Sequence, residues 1–433
     1  MSPIEIGIIG VIALFVFMLL GMPIGLSMGL IGFVGLFFIC GPDAALIRLG
    51  LTPFSSTNSY LISLLPLFTL MGEFASASGI TRDAYYAGYK WIGHLPGGLA
   101  MATIGGCAAF AAVCGSSIAT SATMGSAALP EMRHYKYNHS LATGSIAAGG
   151  TLGILIPPSM GFILYGLITE QSIGKLLISG ILPGILLSIL FMITIFIWTK
   201  LAPTAGPGGP KWSWRERLIA LRDVWAVLLL FLIVMGGIYS GVFTATEAAG
   251  VGTFCAFLIA LARRKLTKKN IITSFRATLR TTGMIFVLII CAQLFSYFVA
   301  VSHLSAALAG FISGLAIPPL GVLIAILILY VILGCIMEVF SAMLITMPIL
   351  FPLSVTLGFD PIWFGVITVI MLEMGLITPP VGMNVFVIAG MARDVPMYSI
   401  FKGVWPFVIA MAACIVILIA FPQIALFLPN AMK

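Results

Sequence analysis

Two apolar segments of the chain each carry a glycine followed four residues later by a pair of prolines. These segments run from Gly153 to Pro158 and from Gly375 to Pro380. A proline inside a helix has no N–H to donate, and its ring clashes with the carbonyl four residues earlier. We therefore expect Pro157 to free the carbonyl of Gly153, and Pro379 to free that of Gly375. In lipid, a free carbonyl is tolerated only where it is buried in protein or lines a polar cavity. Both segments are predicted to be broken helices at membrane depth.

The composition predicts an all-α polytopic membrane protein. Of the 433 residues, 61% are hydrophobic and 8% are charged, whereas a soluble domain carries about 25% charged residues. The formal net charge of +8 comes from basic residues in loops between apolar runs, so we expect a lipid bilayer and no nucleic acid as partner. Seven cysteines lie scattered without metal-ligand spacing. No part of the chain fits a soluble catalytic domain.

The double-proline motif belongs to a longer internal repeat. Gly153 and Gly375 are 222 positions apart, and the same offset relates Pro96 to Pro318, Pro130 to Pro352 and Asn138 to Asp360. One offset held over such a stretch indicates a duplication. We predict a first repeat at 1–200, a cytoplasmic linker at 201–222 and a second repeat at 223–433.

Each predicted repeat contains five crossings and one re-entrant hairpin. The hairpins are expected at about 97–131 and 319–352, and the broken helices at about 138–170 and 362–390. The other predicted spans lie near 4–20, 24–40, 60–80, 178–199, 223–242, 245–262, 281–300 and 404–428. Three linkers, Arg82 to His94, Trp212 to Trp225 and Arg263 to Arg280, are interpreted as interfacial helices, serving either as arms that connect a scaffold to a moving domain or as simple anchors.

The distribution of basic residues predicts how the chain is oriented. With the N-terminus outside, 18 of the 21 Lys and Arg residues lie in loops on the cytoplasmic side. Basic residues flank the first hairpin, whereas the chain from 302 to 361 has none. The first hairpin is therefore predicted to enter from the cytoplasm and the second from outside. An odd number of crossings per repeat requires the two repeats to be inverted, an arrangement typical of secondary transporters.

Polar residues near the breaks are candidate ligands. Hydroxyls such as those of Ser116 and Ser117, together with freed carbonyls, are hard oxygen donors that suit an alkali cation, and half-helix N-termini suit an anion. Packing of small residues is the alternative reading of the serines. Thr151, Ser159 and Asn384 could contact substrate or bond a neighbouring helix. The intramembrane carboxylates Glu338 and Glu373 are functional candidates, although Glu338 could face external water, and we expect Glu73 and Glu247 to be solvated near span ends.

The segments Gly149 to Ser159 and Glu373 to Gly382 resemble the large membrane subunit of tripartite ATP-independent periplasmic (TRAP) transporters, within the ion-transporter superfamily. The resemblance covers essentially the whole chain. It implies Na⁺-coupled import of an organic acid, such as a C4-dicarboxylate or sialic acid, by an elevator movement across the bacterial inner membrane. A periplasmic binding protein would deliver the acid. A small four-helix membrane subunit would complete the scaffold, and we expect it to be a separate chain.

The resemblance also implies two Na⁺ sites. The first would use Ser116 or Ser117 with the carbonyls of Gly153, Ile156 and Pro158. The second would use Gly334, Gly375, Thr378 and Val381. Glu338 and Val339 occupy the second-repeat positions that correspond to Ser116 and Ser117, so the two sites are not expected to be identical.

Two other functions fit parts of the sequence. One is a stand-alone secondary anion carrier of the same superfamily that needs no binding protein. The other, remote, is an intramembrane hydrolase built on Ser116 or Ser117, but no histidine is predicted at membrane depth near these serines. The chain has no P-loop, so the predicted transport does not use ATP in this subunit.

Overall fold

The computed structural model describes residues 1–314 and 317–432; Lys433, the last residue of the predicted second repeat, lies outside them. The described residues form helices and no strand. The helices up to the predicted linker are α1 (Pro3–Leu19), α2 (Ile24–Cys40), α3 (Pro42–Thr57), α4 (Leu64–Ala77), α5 (Ile80–Ile92), α6 (Gly98–Cys114), α7 (Ser117–His134), α8 (His139–Leu155), α9 (Met160–Thr169), α10 (Ile173–Ser179) and α11 (Ile181–Leu201).

The remaining helices lie after the 3₁₀ turn at Pro203–Ala205. They are α12 (Trp214–Asp223), α13 (Trp225–Phe231), α14 (Gly237–Tyr239), α15 (Ala245–Ala262), α16 (Lys268–Val301), α17 (Leu304–Gly314), α18 (Pro319–Ile336), α19 (Val339–Thr356), α20 (Pro361–Gly375), α21 (Met383–Met391), α22 (Met397–Ala420) and α23 (Gln423–Ala431). Short 3₁₀ turns lie at Tyr60–Ser63 and Pro203–Ala205, and a π-helical turn lies at Leu232–Gly236.

The helix lengths fit a polytopic membrane protein. In the part of the chain that the structure describes, seven helices are long and apolar enough to cross a membrane, or up to nine if each of two bent helix pairs is one span. Ten crossings were predicted. The numbers differ because α1 and α2 have 17 residues each and α20 has 15, fewer than the roughly 20 of a full span. Conversely, both arms of the predicted second hairpin, at 18 residues each, are as long as spans.

The two predicted hairpins each consist of two helices joined by a tight turn. In the first, α6 ends at Cys114, and the next residue, Gly115, has a left-handed φ of +69°, which suits a residue without a Cβ. Ser116 then caps α7 by accepting the backbone N–H of Ala119. In the second, Met337 and Glu338 separate α18 from α19, and the Glu338 side chain makes no capping bond.

The two broken helices differ in how they restart. The first pair, α8 and α9, is bent by 42° at the break, and Ser159 caps α9 by accepting the N–H of Phe162 at 3.2 Å. The second pair, α20 and α21, is separated by a longer connection that ends at Gly382, which has a φ of +63° and no side-chain cap. Because the prolines cannot donate to the preceding turn, each helix ends before or at them.

Two features of the fold were not predicted. The predicted linker Arg263 to Arg280 and the span 281–300 are mostly one continuous helix, α16, of 34 residues. At 1.5 Å per residue it is about 51 Å long, well beyond the hydrocarbon core, so its basic first turns extend the span instead of forming a separate interfacial helix. The other is the helix α3, which carries Asp43 and Arg48 and is not apolar along its whole length.

Candidate functional site

The tip of the first hairpin packs directly on the first break. A methyl group placed on Gly153 would lie 2.6 Å from both the carbonyl oxygen of Ser116 and Oγ1 of Thr120, so only glycine permits this approach. At the same tip, a methyl on Gly115 would lie 2.6 Å from the carbonyl oxygen of Pro158. The structure therefore brings together Ser116, Gly153 and Pro158, three residues predicted to share a cation site.

The tip of the second hairpin packs on the second break in a similar way. Methyl groups on Gly334 or Gly375 would lie 2.5–2.7 Å from the opposing backbone. The N–H of Gly382 donates to the carbonyl of Cys335 at 3.3 Å. Gly334 and Gly375, both predicted cation ligands, are thus in backbone contact, with Thr378 and Val381 half-exposed in the connection that follows.

One expectation about the second break is wrong. Pro379 cannot donate to the carbonyl of Gly375, but that carbonyl is not left without a donor, because the N–H of Thr378 bonds it at 3.0 Å. The turn tightens by one residue and satisfies the oxygen locally. The Thr378 hydroxyl donates to the carbonyl of Met374 at 2.6 Å. This bond uses the proton of the hydroxyl and leaves its lone pairs as acceptors.

The side chain of Glu373 links the second broken helix to the first hairpin. Ser117 Oγ donates to Glu373 Oε2 at 2.6 Å, and both side chains are 1% exposed. The sequence indicated Glu373 as a candidate intramembrane carboxylate and Ser117 as a candidate ligand, but gave no sign that they bond each other. A pair separated by 256 positions follows from the packing of α20 beside α7 and α8, which neither motif encodes.

The three predicted substrate-binding side chains are fully buried beside the breaks. Thr151 Oγ1 donates to the carbonyl of Ala148 at 2.6 Å, and Ser159 Oγ donates to that of Ile154. The amide oxygen and nitrogen of Asn384 have no hydrogen-bond partner among the described residues. None of the three lines the cavity between the two hairpin tips, and their role as substrate contacts stays a prediction.

A cavity of about 360 Å³ lies between the two hairpin tips and the helices α4 and α16. The start of α7 contributes Ser116, Ile118 and Ala119, the start of α9 contributes Met160, and the start of α19 contributes Glu338 and Phe340. Three helix N-termini, each carrying a partial positive charge, therefore adjoin one cavity. Such an arrangement can hold an anion without a cationic side chain.

Two carboxylates also line this cavity. Glu338 stands at its edge as the residue before α19, and Glu73 projects from α4. The expectation that Glu73 is solvated at a span end is therefore wrong: α4 packs on the first hairpin and turns Glu73, which is half-buried, toward the cavity. Among the described lining residues no Lys, Arg or His faces these carboxylates.

No group of three or more His, Cys, Asp or Glu side chains within residues 1–314 and 317–432 could hold a metal ion. This observation concerns metals that prefer nitrogen, sulfur or clustered carboxylate ligands. A Na⁺ site built from carbonyls and hydroxyls is a different donor set, and the two hairpin–break contacts supply that set.

Comparison with known proteins identifies the family. The family model of the tripartite ATP-independent periplasmic transporter, DctM component, matches residues 11–424. The C4-dicarboxylate TRAP transporter large permease protein DctM of Pseudomonas aeruginosa is 35% identical over 93% of this chain and 94% of its own length. The sialic acid TRAP transporter large permease protein SiaM of Vibrio cholerae is 31% identical over 95% of both chains.

The fold is also similar to that of a more distant transporter of known structure. The crystal structure of the YdaH transporter of Alcanivorax borkumensis has a TM-score of 0.65 and 14% identity to this protein, and the match covers 88% of this chain and 90% of that one. At such identity the likeness shows the fold alone. The hydrolase interpretation is excluded, because the family and its relatives are transport proteins. The chain belongs to the DctM component family of tripartite ATP-independent periplasmic transporters and is a TRAP large permease subunit.

Proposed function

We propose that this subunit imports an organic acid, such as a C4-dicarboxylate or sialic acid, across the bacterial inner membrane, coupled to Na⁺ and supplied by a periplasmic binding protein. The observation that carries the proposal is the cavity between the two hairpin tips, where three helix N-termini meet beside the first helix break. Relatives named for C4-dicarboxylate and for sialic acid support this substrate class.

Na⁺ coupling is supported by the donor atoms at the two breaks. The first predicted site would use Ser116 or Ser117 with the carbonyls of Gly153, Ile156 and Pro158. The second would use Gly334, Gly375, Thr378 and Val381. Each group lies where a hairpin tip contacts a broken helix, so an ion bound there would hold the tip against the break. Na⁺ would supply positive charge beside the cavity, and this charge would favour entry of an anionic substrate.

Bound Na⁺ would also offset the negative charges of Glu73 and Glu338 in the cavity. Two carboxylates at the wall repel an anion, and the cavity wall described above offers no basic side chain to oppose them. The helix N-termini together with Na⁺ would reverse the local field. Bound Na⁺ would then favour substrate binding, and the bound substrate would favour Na⁺ equally, which couples the two.

An elevator movement of two inverted repeats is supported by the contacts between the halves. Ser117 on the first hairpin bonds Glu373 on the second broken helix, and Arg133 at the far end of α7 forms an ion pair with Asp394 after α21. These bonds join the first hairpin to the second broken helix at both ends. Among the other helices, α2 packs against α16, and the Thr253 hydroxyl of α15 donates to the carbonyl of Leu67 in α4.

The predicted orientation has a direct test. In a cysteine-free background, single cysteines placed between 263 and 280 are expected to resist membrane-impermeant thiol reagents added to intact cells, because this basic stretch is assigned to the cytoplasm. Efficient labelling from outside would reverse the proposed topology and the assigned entry side of both hairpins.

Dependence on a binding protein separates the proposal from a stand-alone carrier. The chain, reconstituted into proteoliposomes with the small membrane subunit of its own system, should take up the acid only when the liganded binding protein and an inward Na⁺ gradient are both present. Binding protein that has been denatured by heat provides the matched control. Equal uptake with and without the native binding protein would favour the stand-alone carrier.

A further inference from the structure

A buried polar cluster lies where α7, α8 and α20 meet, behind the tip of the first hairpin. It contains Ser117 and, one turn farther along α7, Ser121, together with Glu373 of α20. All three side chains are at most 1% exposed. A methyl group on Gly150 of α8 would lie 1.7 Å from Ser121 Oγ, so the glycine leaves the room that this hydroxyl occupies.

Two oxygens of the cluster lack partners. Glu373 Oε1 and Ser121 Oγ make no hydrogen bond with any described residue. An ionised carboxylate has only acceptor atoms, so Oε1 needs either a donor or a cation. A protonated Oε1 would need an acceptor, and no described residue supplies one. Buried polar atoms without partners are rare, and a bound ion is one explanation for them.

The bond within the cluster leaves oxygen lone pairs for a cation. Ser117 donates its proton to Glu373 Oε2, so the lone pairs of Ser117 Oγ remain available as acceptors. Three oxygens, two neutral and one anionic, are therefore buried from bulk water where these helices meet. Hard oxygen donors of this kind suit an alkali cation.

The pair occurs only on one side of the internal repeat. The positions 222 residues from Ser117 and Glu373 are Val339 and Thr151. Val339 is apolar, and the Thr151 hydroxyl donates to the carbonyl of Ala148. The repeat fold therefore does not itself require a hydroxyl and a carboxylate at this contact, and packing alone gives no reason for burying a carboxylate in the first hairpin's contact.

We propose that Glu373 is the anionic ligand of a monovalent cation bound with Ser117 and Ser121, so that the second half of the chain supplies the counter-charge for an ion held at the first hairpin. This inference rests on the proposed Na⁺ coupling and adds to it a side-chain ligand from the opposite half. Binding of the ion would fasten α20 to the first hairpin.

The test measures the Na⁺ dependence of thermal unfolding. The full chain, purified with its small subunit in nanodiscs, is titrated with NaCl at constant ionic strength, with choline chloride as replacement. A ligand that binds only the folded state raises its unfolding temperature. Wild type should be stabilised by Na⁺. Glu373→Gln should need a Na⁺ concentration about tenfold or more higher for half of that effect.

The sign of the effect without Na⁺ distinguishes a ligand from a structural hub. Ser121→Ala removes a buried hydroxyl that has no described partner, so in Na⁺-free buffer it should not lower the unfolding temperature. Glu373→Gln keeps an oxygen that can accept from Ser117, and its Na⁺ midpoint is the quantity compared. Both should weaken stabilisation by Na⁺. Two matched controls, Glu247→Gln, which preserves the capping box of α15, and Ser126→Ala on the exposed face of α7, should respond to Na⁺ as wild type does.

The outcomes are separable. A wild-type protein that does not respond to Na⁺ contradicts the proposed coupling and this site with it. A wild type that responds, with Glu373→Gln responding at the same Na⁺ concentration, contradicts this site alone. Equal destabilisation of Glu373→Gln with and without Na⁺ identifies a structural hydrogen bond only. If Glu373→Gln does not fold, Ser117→Ala and Ser121→Ala test the site instead. An unchanged Na⁺ concentration for half of the stabilisation in both variants contradicts the site.

Discussion

The two helix breaks share a motif but differ in how deeply they are enclosed. Every residue from 151 to 160 is buried, whereas the second break passes through half-exposed Thr378 and Pro379 to exposed Pro380. The first break restarts on a side-chain cap from Ser159, while the corresponding position of the second break is Val381. The first break is therefore held by packing and side-chain bonds, and the second by backbone bonds near the surface.

The two breaks share a sequence motif, but their different burial suits them to different roles. A buried break tolerates little change of side-chain volume and suits an ion that must be retained. An ion bound at a break near the surface exchanges more readily with the surrounding solution. A substitution there lowers the free energy of unfolding less. The asymmetry extends to the carboxylate Glu373, which belongs to the second broken helix but serves the first hairpin.

The largest difference is expected from truncating one side chain at each break. Ile156 is 9% exposed. Ile156→Ala should lower the free energy of unfolding by about 2–4 kcal/mol. Half-exposed Val381→Ala should cost about 1 kcal/mol or less. Both substitutions keep the backbone carbonyls that are proposed to bind Na⁺. Denaturant unfolding in detergent measures the two losses, and equal losses would show that the breaks are not differently enclosed.

The next effect concerns Na⁺ binding at the second break. Thr378→Ala removes a hydroxyl whose proton already bonds Met374 and whose lone pairs are free. Losing one neutral ligand is expected to cost about 1.5–3 kcal/mol, equivalent to a rise of about 10- to 150-fold in the Na⁺ concentration for half-maximal transport.

The conservative variant controls this prediction. Thr378→Ser retains the oxygen and loses only a methyl group, so it should keep most of the wild-type Na⁺ dependence. Transport by Thr378→Ala with unchanged Na⁺ dependence would assign the second site to backbone carbonyls alone.

The smallest effect is expected at the cap of α9. Ser159→Ala removes the side-chain acceptor for the N–H of Phe162 and should lower stability by about 1 kcal/mol. The unfolding temperatures of this variant and of the wild type in detergent give the comparison. If Ser159→Ala is as stable as the wild type, the first break does not depend on its cap, and one of its differences from the second disappears.

The sequence predicted the features that depend on local chemistry. The double prolines located both breaks, and the hairpin predicted at about 97–131 contains the observed turn at Gly115 and Ser116. Features that depend on distant packing were missed. The bond from Ser117 to Glu373, the inward placement of Glu73 and the continuity of α16 all follow from which helices lie side by side, and neither spacing nor hydropathy records that.

The central claim is that an inward Na⁺ gradient drives uptake of an organic acid delivered by a binding protein. Proteoliposomes that contain this chain and its small subunit, supplied with the liganded binding protein, should accumulate the labelled acid when Na⁺ is outside. They should fail to do so with a proton gradient alone or with external choline. Accumulation driven equally well by a proton gradient in the complete absence of Na⁺ would contradict the account.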